Sequence, residues 1–277
     1  MLNQILPHFY VLGQAHNAKI ELGVMIMGWF GGSSQPFRFE MYSASHLFVM
    51  LTFILVSLFI FIFQDRLRKS LTKAWEYAVA CSLVLIEVTY HVWMYVNGNW
   101  DASHSVQLEL CSISLVLTVI LLIRKSRHIY ELVFFTAILG CTQSIFFPSL
   151  HYDFPHFRYF HFFYTHLMIV WVAFYFTWVK GYRPTFWSTV KLFLFLNLLM
   201  PFIMLVNALT GGNYWYLSGK PNHFSLLDYL GPYPWYILSM EVLVIILSQV
   251  AWLIFRKKKA GPATRSEGSS PNQDQTV

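Results

Sequence analysis

Seven long apolar stretches alternate with short polar connectors along the 277-residue chain. An apolar helix needs about 20 residues to cross the ~30 Å hydrocarbon layer of a membrane, and most of these stretches are of that length. The pattern predicts an all-α, polytopic membrane bundle of seven transmembrane helices. The predicted helices are His46–Phe63, Ala74–Val96, Val106–Ile123, Ile129–Phe147, Tyr159–Val179, Ser188–Leu209 and Pro234–Phe255.

The third stretch is the weakest of the seven. Its continuous apolar run covers only 110–123, and Gln107 and Glu109 precede that run. Polar side chains at this depth are costly against lipid. We therefore expect the third helix to be central and surrounded by its neighbours.

Basic residues are distributed unevenly between the two sides that seven spans would create. One side receives fifteen of the 19 Lys and Arg residues, and the other receives only Lys19, Arg38, Arg158 and Lys220. Because cytoplasmic flanks carry an excess of Lys and Arg, the N-terminus is predicted outside and the C-terminus in the cytoplasm. The expected location is the cell membrane.

Composition supports the same class and suggests how the chain is divided. Hydrophobic residues make up 56% of the chain and charged residues 12%, as in membrane proteins. The net charge of +6 lies mainly on the predicted cytoplasmic flanks, so nucleic acid is not an expected partner. We expect an extracytoplasmic segment over 1–45, one transmembrane domain over 46–255, and a basic, disordered cytoplasmic tail over 256–277. Residues 1–24 are interpreted as a loose extension or a start-site artefact.

Ionisable and polar side chains gather towards the predicted outer ends of the helices. Such residues inside a membrane are functional candidates by default. Cys111 lies in the first turns of the third helix, and His166 lies about 10 Å below the outer end of the fifth, since a helix rises 1.5 Å per residue. With them, the predicted cavity residues are His46, Glu87, His91, Glu109, Gln143 and Asn207. Pro201 deprives the Asn197 carbonyl of its helical partner, which favours a cavity wall in the sixth helix.

Cys111 and His166 permit one specific chemistry. A thiolate is nucleophilic, a neighbouring imidazole can take the thiol proton, and Glu87 or Glu109 could orient that imidazole. The residues alone are equally consistent with a packed cysteine and a histidine bonded between helices. His46, with the two other intramembrane histidines, shows no metal-ligand spacing, so neither a metal nor a cofactor is expected.

The remaining cysteines, histidines and the last long loop have structural interpretations. Cys81 and Cys141 are expected to be small packing groups. The histidines at 151, 156 and 161 are assigned to an aromatic belt at the membrane interface. Residues 210–236 are too apolar for a solvated linker and are predicted to cover the outer mouth of the cavity as a lid. The lid residues are Asn213, Tyr214, Lys220, Pro221 and Asp228.

Several motifs together resemble the YwaF-like family of bacterial integral membrane proteins, related to vertebrate transmembrane protein 164. The likeness covers roughly 35–255. It includes SASHL before the first helix, Glu87 with a downstream Trp93, and the LC of the third helix. It also includes GCTQSIFFPSL, FPHFRYFHFFYTH, NYWYLSGKP and SLLDYLGPYPWY.

This resemblance implies a helical fold distantly shared with the androgen-induced lipid hydrolases. For the vertebrate relative it implies a cysteine-dependent acyltransferase that acts on phospholipids, with Cys111 as nucleophile and His166 as base. Bacterial relatives tend to read LPLHLCD, whereas this chain reads VQLELCS, with Glu109 and Ser112 in place of the histidine and the aspartate.

The expected partners are therefore membrane lipids, with a phospholipid or lysophospholipid as substrate of an acyltransferase or lipid hydrolase. Two other classes stay open on the sequence. One is a non-catalytic protein that binds or transports a lipid or solute, and the other is a structural subunit of a membrane complex. The sequence does not indicate an oligomeric state.

Overall fold

The computed structural model describes residues 28–34, 37–71, 73–221 and 226–256. The predicted extension over 1–24 and nearly all of the predicted tail lie outside these ranges. The helices in chain order are α1 (Ala44–Ile62), α2 (Gln64–Ser70), α3 (Lys73–Val96), α4 (Leu110–Arg124), α5 (Arg127–Phe146), α6 (Phe157–Val179), α7 (Phe186–Thr210) and α8 (Trp235–Phe255). α5 contains a π turn at Ala137–Cys141, and α6 ends in another at Tyr175–Val179.

Length and hydropathy make six of these helices candidate membrane spans, namely α1, α3, α5, α6, α7 and α8. α4 is apolar but only 15 residues long, which is less than the roughly 20 residues that cross a bilayer. The predicted all-helical membrane bundle is confirmed. A seventh span and the orientation of the termini stay predictions.

α4 begins later than the hydrophobic pattern indicates. The Val106 N–H donates to the Tyr214 hydroxyl (2.9 Å), and the Trp215 ring donates to the Leu108 carbonyl (2.7 Å). Because these backbone groups have partners in the loop before α8, they do not need helical ones. The helix therefore starts at Leu110, and the predicted start was four residues too early.

α6, and not α4, lies at the centre of the bundle. In the apolar 18-residue segment of α6, 72% of the residues are buried within the protein, against 17% for α7 and 11% for α8. α6 contacts α1, α3, α4 and α5. The expectation of a central third helix is wrong, because α4 buries one face only and leaves Val116 and Ile123 nearly half exposed. The buried residues of α4 are Ser114, Leu115, Thr118, Leu121 and Leu122.

The two ends of the bundle differ in their connectors. The upper end carries 97–109, 147–156 and 211–221, and the Tyr214 hydroxyl there donates to the Ala102 carbonyl (2.9 Å). The basic end carries 63–71, 125–126 and 180–185. There Lys125 and Lys180 both reach Glu76, at 2.5 and 2.7 Å. The candidate chemistry lies at the upper end.

Candidate functional site

A cavity of about 330 Å³ opens among α3, α4, α5 and α6 at the upper end. We call it the polar cavity. Four of the cavity residues predicted from the sequence line it together, and further polar residues join them. The polar lining discussed below comprises Glu87, Gln107, Glu109, Cys111, Ser144, Arg158, His161 and His166.

Cys111 lies in the first turn of α4, where unpaired backbone N–H groups favour negative charge. Its thiol is partly buried, and its Sγ is 3.9 Å from the Ser144 hydroxyl of α5. His166 of α6 lines the same cavity as this thiol. Three helices therefore bring a thiol, an imidazole and a hydroxyl to one space.

The hydrogen bonding of His166 fixes the form of its ring. Nδ1 lies 2.7 Å from the Phe162 carbonyl, one turn earlier on α6. Because a carbonyl only accepts, Nδ1 carries the hydrogen, and in the neutral ring Nε2 is left as an acceptor. The expectation that Glu87 or Glu109 orients this imidazole is wrong, since a backbone carbonyl does so.

Glu87 instead belongs to a chain of hydrogen bonds along the opposite wall. The Arg158 guanidinium donates to His161 Nδ1 (2.8 Å), and His161 Nε2 donates to Glu87 Oε2 (3.0 Å). Gln107 donates to the other Glu87 oxygen and lies 2.6 Å from His91 Nε2. His91 thus stands behind the lining, 3.9 Å from Glu87. Bonded on both ring nitrogens in this way, His161 is neutral.

Three other predicted cavity residues lie elsewhere. His46 is fully buried, accepts the Tyr42 N–H at Nδ1 (3.0 Å) and donates from Nε2 to the Ile145 carbonyl (2.9 Å). It fastens the start of α1 to the end of α5. Asn207 bonds the backbone of Tyr214 in both directions, at 3.0 and 2.8 Å. Both are structural.

Gln143 is exposed, and its neighbour Ser144 faces the polar cavity. The π turn at Ala137–Cys141 lies between these residues and the rest of α5. A π turn adds a residue to the helical repeat and changes which side chains share a face. The predicted depth of Gln143 in the membrane therefore did not indicate which way its side chain points.

The predicted lid folds onto the upper end beside the polar cavity. The Asn213 amide donates to the Gly219 carbonyl (2.8 Å), and Lys220 lies 3.7 Å from Asp228. Pro221 follows Lys220 at the edge of the described residues. Burial raises the pKa of the Tyr214 phenol. Tyr214 is therefore a neutral bridge between the loop and the connector before α4.

This loop borders a second space, which we call the apolar groove, of about 210 Å³ between α4, α7 and α8. Trp215 and Leu217 of the loop line it, and so does Asn197, one turn before Pro201 of α7. Glu109 lines both the apolar groove and the polar cavity. The two spaces therefore lie on either side of Glu109, at the start of α4.

Sequence reasoning missed Gln107, Ser144, Arg158 and His161. Placing His161 in an aromatic belt was wrong, because it lines the polar cavity. Arg158 and His161 are three residues apart, which puts them on one face of a helix. That spacing was the available signal. Among the described residues, no group of three His, Cys, Asp or Glu side chains is arranged to hold a metal ion.

Comparison with known proteins gives one result. No curated protein and no solved structure matches the chain. A family model described as the TMEM164 family matches residues 41–252. That range covers most of the chain and includes every residue of the polar cavity. The chain therefore belongs to the TMEM164 family of membrane proteins.

Proposed function

We propose that this multi-pass membrane protein is a cysteine-dependent phospholipid acyltransferase or lipid hydrolase. The observation that carries the proposal is the pairing of Cys111 with His166 in the polar cavity. The Phe162 carbonyl holds the hydrogen of His166 on Nδ1 and so leaves Nε2 to act as a base. Resemblance to a cysteine-dependent acyltransferase supports the same assignment.

In the first half-reaction, Cys111 Sγ attacks the carbonyl carbon of a lipid ester while His166 Nε2 takes the thiol proton. The tetrahedral intermediate collapses, the ester C–O bond breaks, and the leaving alkoxide receives the proton from His166. The products are an acyl thioester on Cys111 and a free lipid hydroxyl. The backbone N–H groups that open α4 are the nearby donors for the developing oxyanion.

The second half-reaction reverses this path. His166 takes the proton of an acceptor hydroxyl, whose oxygen attacks the thioester carbonyl. The C–S bond breaks, and the thiolate is protonated by His166. A lysolipid acceptor gives transfer, and water gives hydrolysis. In this scheme the apolar groove, which shares Glu109 with the polar cavity, takes the acyl chain.

Lipid turnover by the purified protein in detergent tests the proposal. With phospholipid and labelled lysophospholipid as substrates, the Cys111→Ala variant is expected to lose both transfer and hydrolysis while eluting as folded protein. Cys81→Ala is the matched control, because Cys81 is exposed and lies outside the polar cavity. Turnover by Cys111→Ala at the wild-type rate would refute the proposal.

A non-catalytic lipid- or solute-binding or transport protein is the second candidate. The observation in its favour is the apolar groove, where Glu241 and Asn197 face a largely hydrocarbon wall beside the proline of α7. An intramembrane carboxylate commonly marks a ligand or ion path. Saturable lipid binding by wild-type protein without any turnover would favour this candidate.

The proposal includes an orientation, with the upper end outside the cell membrane and the C-terminus in the cytoplasm. It rests on the excess of Lys and Arg at the basic end. Alkaline phosphatase fused after Phe255 is expected to be inactive in a bacterial host, and green fluorescent protein at the same site fluorescent. An active phosphatase fusion would reverse the orientation.

A further inference from the structure

Arg158 carries a positive charge that the described part of the protein does not directly neutralise. Its guanidinium forms no salt bridge among the described residues, although it lines the polar cavity. The nearest acid in its hydrogen-bonded chain is Glu87, and the neutral His161 stands between the two. Because a poorly hydrated, unpaired cation is costly, such a residue usually has a ligand or partner.

The position of the guanidinium leaves donors available. Its Cζ lies 4.1 Å from the centroid of the Tyr90 ring and 5.8 Å from that of the Trp93 ring. Of the five donors of an arginine, the side chain uses Nη1 towards His161. The others can receive an anion.

Arg158 also stands at a junction between two spaces. It lines the polar cavity with Cys111 and, on its other side, an open pocket at the upper end that includes His104 and Tyr152. A headgroup could enter from the open pocket while its ester lies in the polar cavity. Carboxylates line both spaces, and Arg158 is the one Arg or Lys among the described residues that line them.

Gln107 supplies a complementary acceptor in the same cavity. Its side-chain nitrogen is committed to Glu87 and His91, whereas its buried Oε1 has no hydrogen-bond partner among the described residues. A buried amide oxygen without a partner is costly. A ligand hydroxyl group would satisfy it.

From these observations we propose that Arg158 binds the phosphate of a glycerophospholipid or lysophospholipid, and that Gln107 Oε1 accepts a hydrogen bond from a hydroxyl of the same ligand. This inference rests on the proposed function for the lipid but does not require the Cys111 chemistry. It makes Arg158 the residue that distinguishes a phospholipid from a neutral glyceride. Arginine suits this role because its planar fork binds phosphate through two parallel bonds.

The test compares two ligands that share an acyl chain and differ in phosphate. Full-length protein in a non-ionic detergent is titrated with 1-oleoyl lysophosphatidate or with 1-oleoylglycerol, and binding is followed by native mass spectrometry. Wild-type protein is expected to prefer the phosphate ligand at least about 10-fold, which is what one charge-assisted hydrogen bond of about 1.5 kcal/mol gives. Equal binding of the two ligands by wild-type protein would overturn the proposal.

Variants test whether Arg158 causes the preference for the phosphate ligand. Arg158→Gln keeps a donor for His161 and is expected to lose the preference for phosphate. Arg38→Gln removes another arginine of the upper end, exposed and outside the polar cavity, and should keep it. If Arg158→Gln does not fold, Arg158→Lys retains the charge without the fork and should show a reduced preference. An undiminished preference in the folded Arg158 variant would assign the phosphate to another group.

Two further experiments distinguish a lipid headgroup from free phosphate, and the Arg158 site from the proposed acyl chemistry. Inorganic phosphate is added as a competitor; weak competition is expected for a lipid headgroup site, and binding as tight as that of lysophosphatidate would identify a soluble anion instead. Cys111→Ala is expected to bind lysophosphatidate like wild type. Selective binding without turnover would therefore retain the Arg158 site and refute the acyl chemistry, and turnover with an unchanged KM in Arg158→Gln would do the reverse.

Discussion

Both ends of the bundle bury charge, but they treat it differently. At the basic end, the Glu76 carboxylate is 1% exposed and receives Lys125, Lys180 and the Tyr175 hydroxyl, the last at 2.8 Å. At the upper end, Glu87 is bonded to a neutral histidine and an amide, and no acid of the described residues lies within salt-bridge distance of Arg158.

This difference separates structural from functional charge. The charge of the Glu76 carboxylate is neutralised by two ammonium groups that reach it directly, and these contacts fix the mutual positions of α3, α4 and α6. The polar cavity holds an arginine, a thiol and an imidazole whose bonding capacity is only partly used. We therefore interpret the basic end as a fastening of the fold and the upper end as the working site.

The largest expected effect comes from replacing His166, the proposed base. His166→Ala is expected to lower lipid turnover by about 10²–10⁴-fold, as loss of a general base does. The double variant with Cys111→Ala should be no worse than Cys111→Ala alone, because the two residues act as a unit. Turnover per folded molecule is the measurement.

His46→Gln is the matched control for that experiment. His46 lies outside the polar cavity and fastens α1 to α5. The variant should lose stability but retain turnover per folded molecule. A loss of turnover equal to that of His166→Ala would show that the assignment of roles to the two histidines is wrong.

Breaking the Glu76 cluster should affect stability and not chemistry. Glu76→Gln leaves two lysines without a counter-charge, and removing one partner of a buried pair typically costs 3–5 kcal/mol. The lysines are about a third exposed, so solvent screening should reduce the loss to about 3 kcal/mol. Thermal unfolding in detergent measures the loss.

Asp65→Asn at the same end provides the comparison for Glu76→Gln. Asp65 is 83% exposed and pairs with Arg68 at 3.3 Å, so its loss should change stability within about 0.5 kcal/mol. Equal destabilisation by the two variants would remove the distinction between buried and surface ion pairs at the basic end.

Some features of the fold and of the polar cavity could be predicted from the sequence, and others could not. Hydrophobic length predicted the membrane helices, because burial in lipid is averaged over some twenty residues. The polar residues at the upper end were also identifiable from their depth. The start of α4 was not, because it depends on hydrogen bonds to Tyr214 and Trp215, about a hundred residues away.

The direction of each side chain was the least predictable feature of the site. Depth alone does not distinguish Gln143 from Ser144, and the π turn before them changes the helical phase. Composition alone placed His161 in an aromatic belt, whereas its spacing from Arg158 indicated a shared face. One extra residue in a single helical turn therefore decides which polar side chains of α5 face the polar cavity.

The smallest expected effect tests that distinction directly. Ser144→Ala removes a hydroxyl 3.9 Å from Cys111 Sγ and should lower turnover by a few-fold, since a long contact of this kind is weak. Gln143→Ala removes an exposed side chain and should leave both turnover and stability unchanged. A larger loss in Gln143→Ala than in Ser144→Ala would place the wrong face of α5 in the polar cavity.

The covalent intermediate provides the most direct test of the central claim. Protein mixed with phospholipid and quenched in acid is analysed by intact mass spectrometry. We predict an added mass of one acyl chain that neutral hydroxylamine removes, that maps to Cys111, and that is absent from Cys111→Ala. Turnover by wild-type protein with no such adduct at any time, or an adduct that persists in Cys111→Ala, would contradict the assignment of Cys111 as the nucleophile.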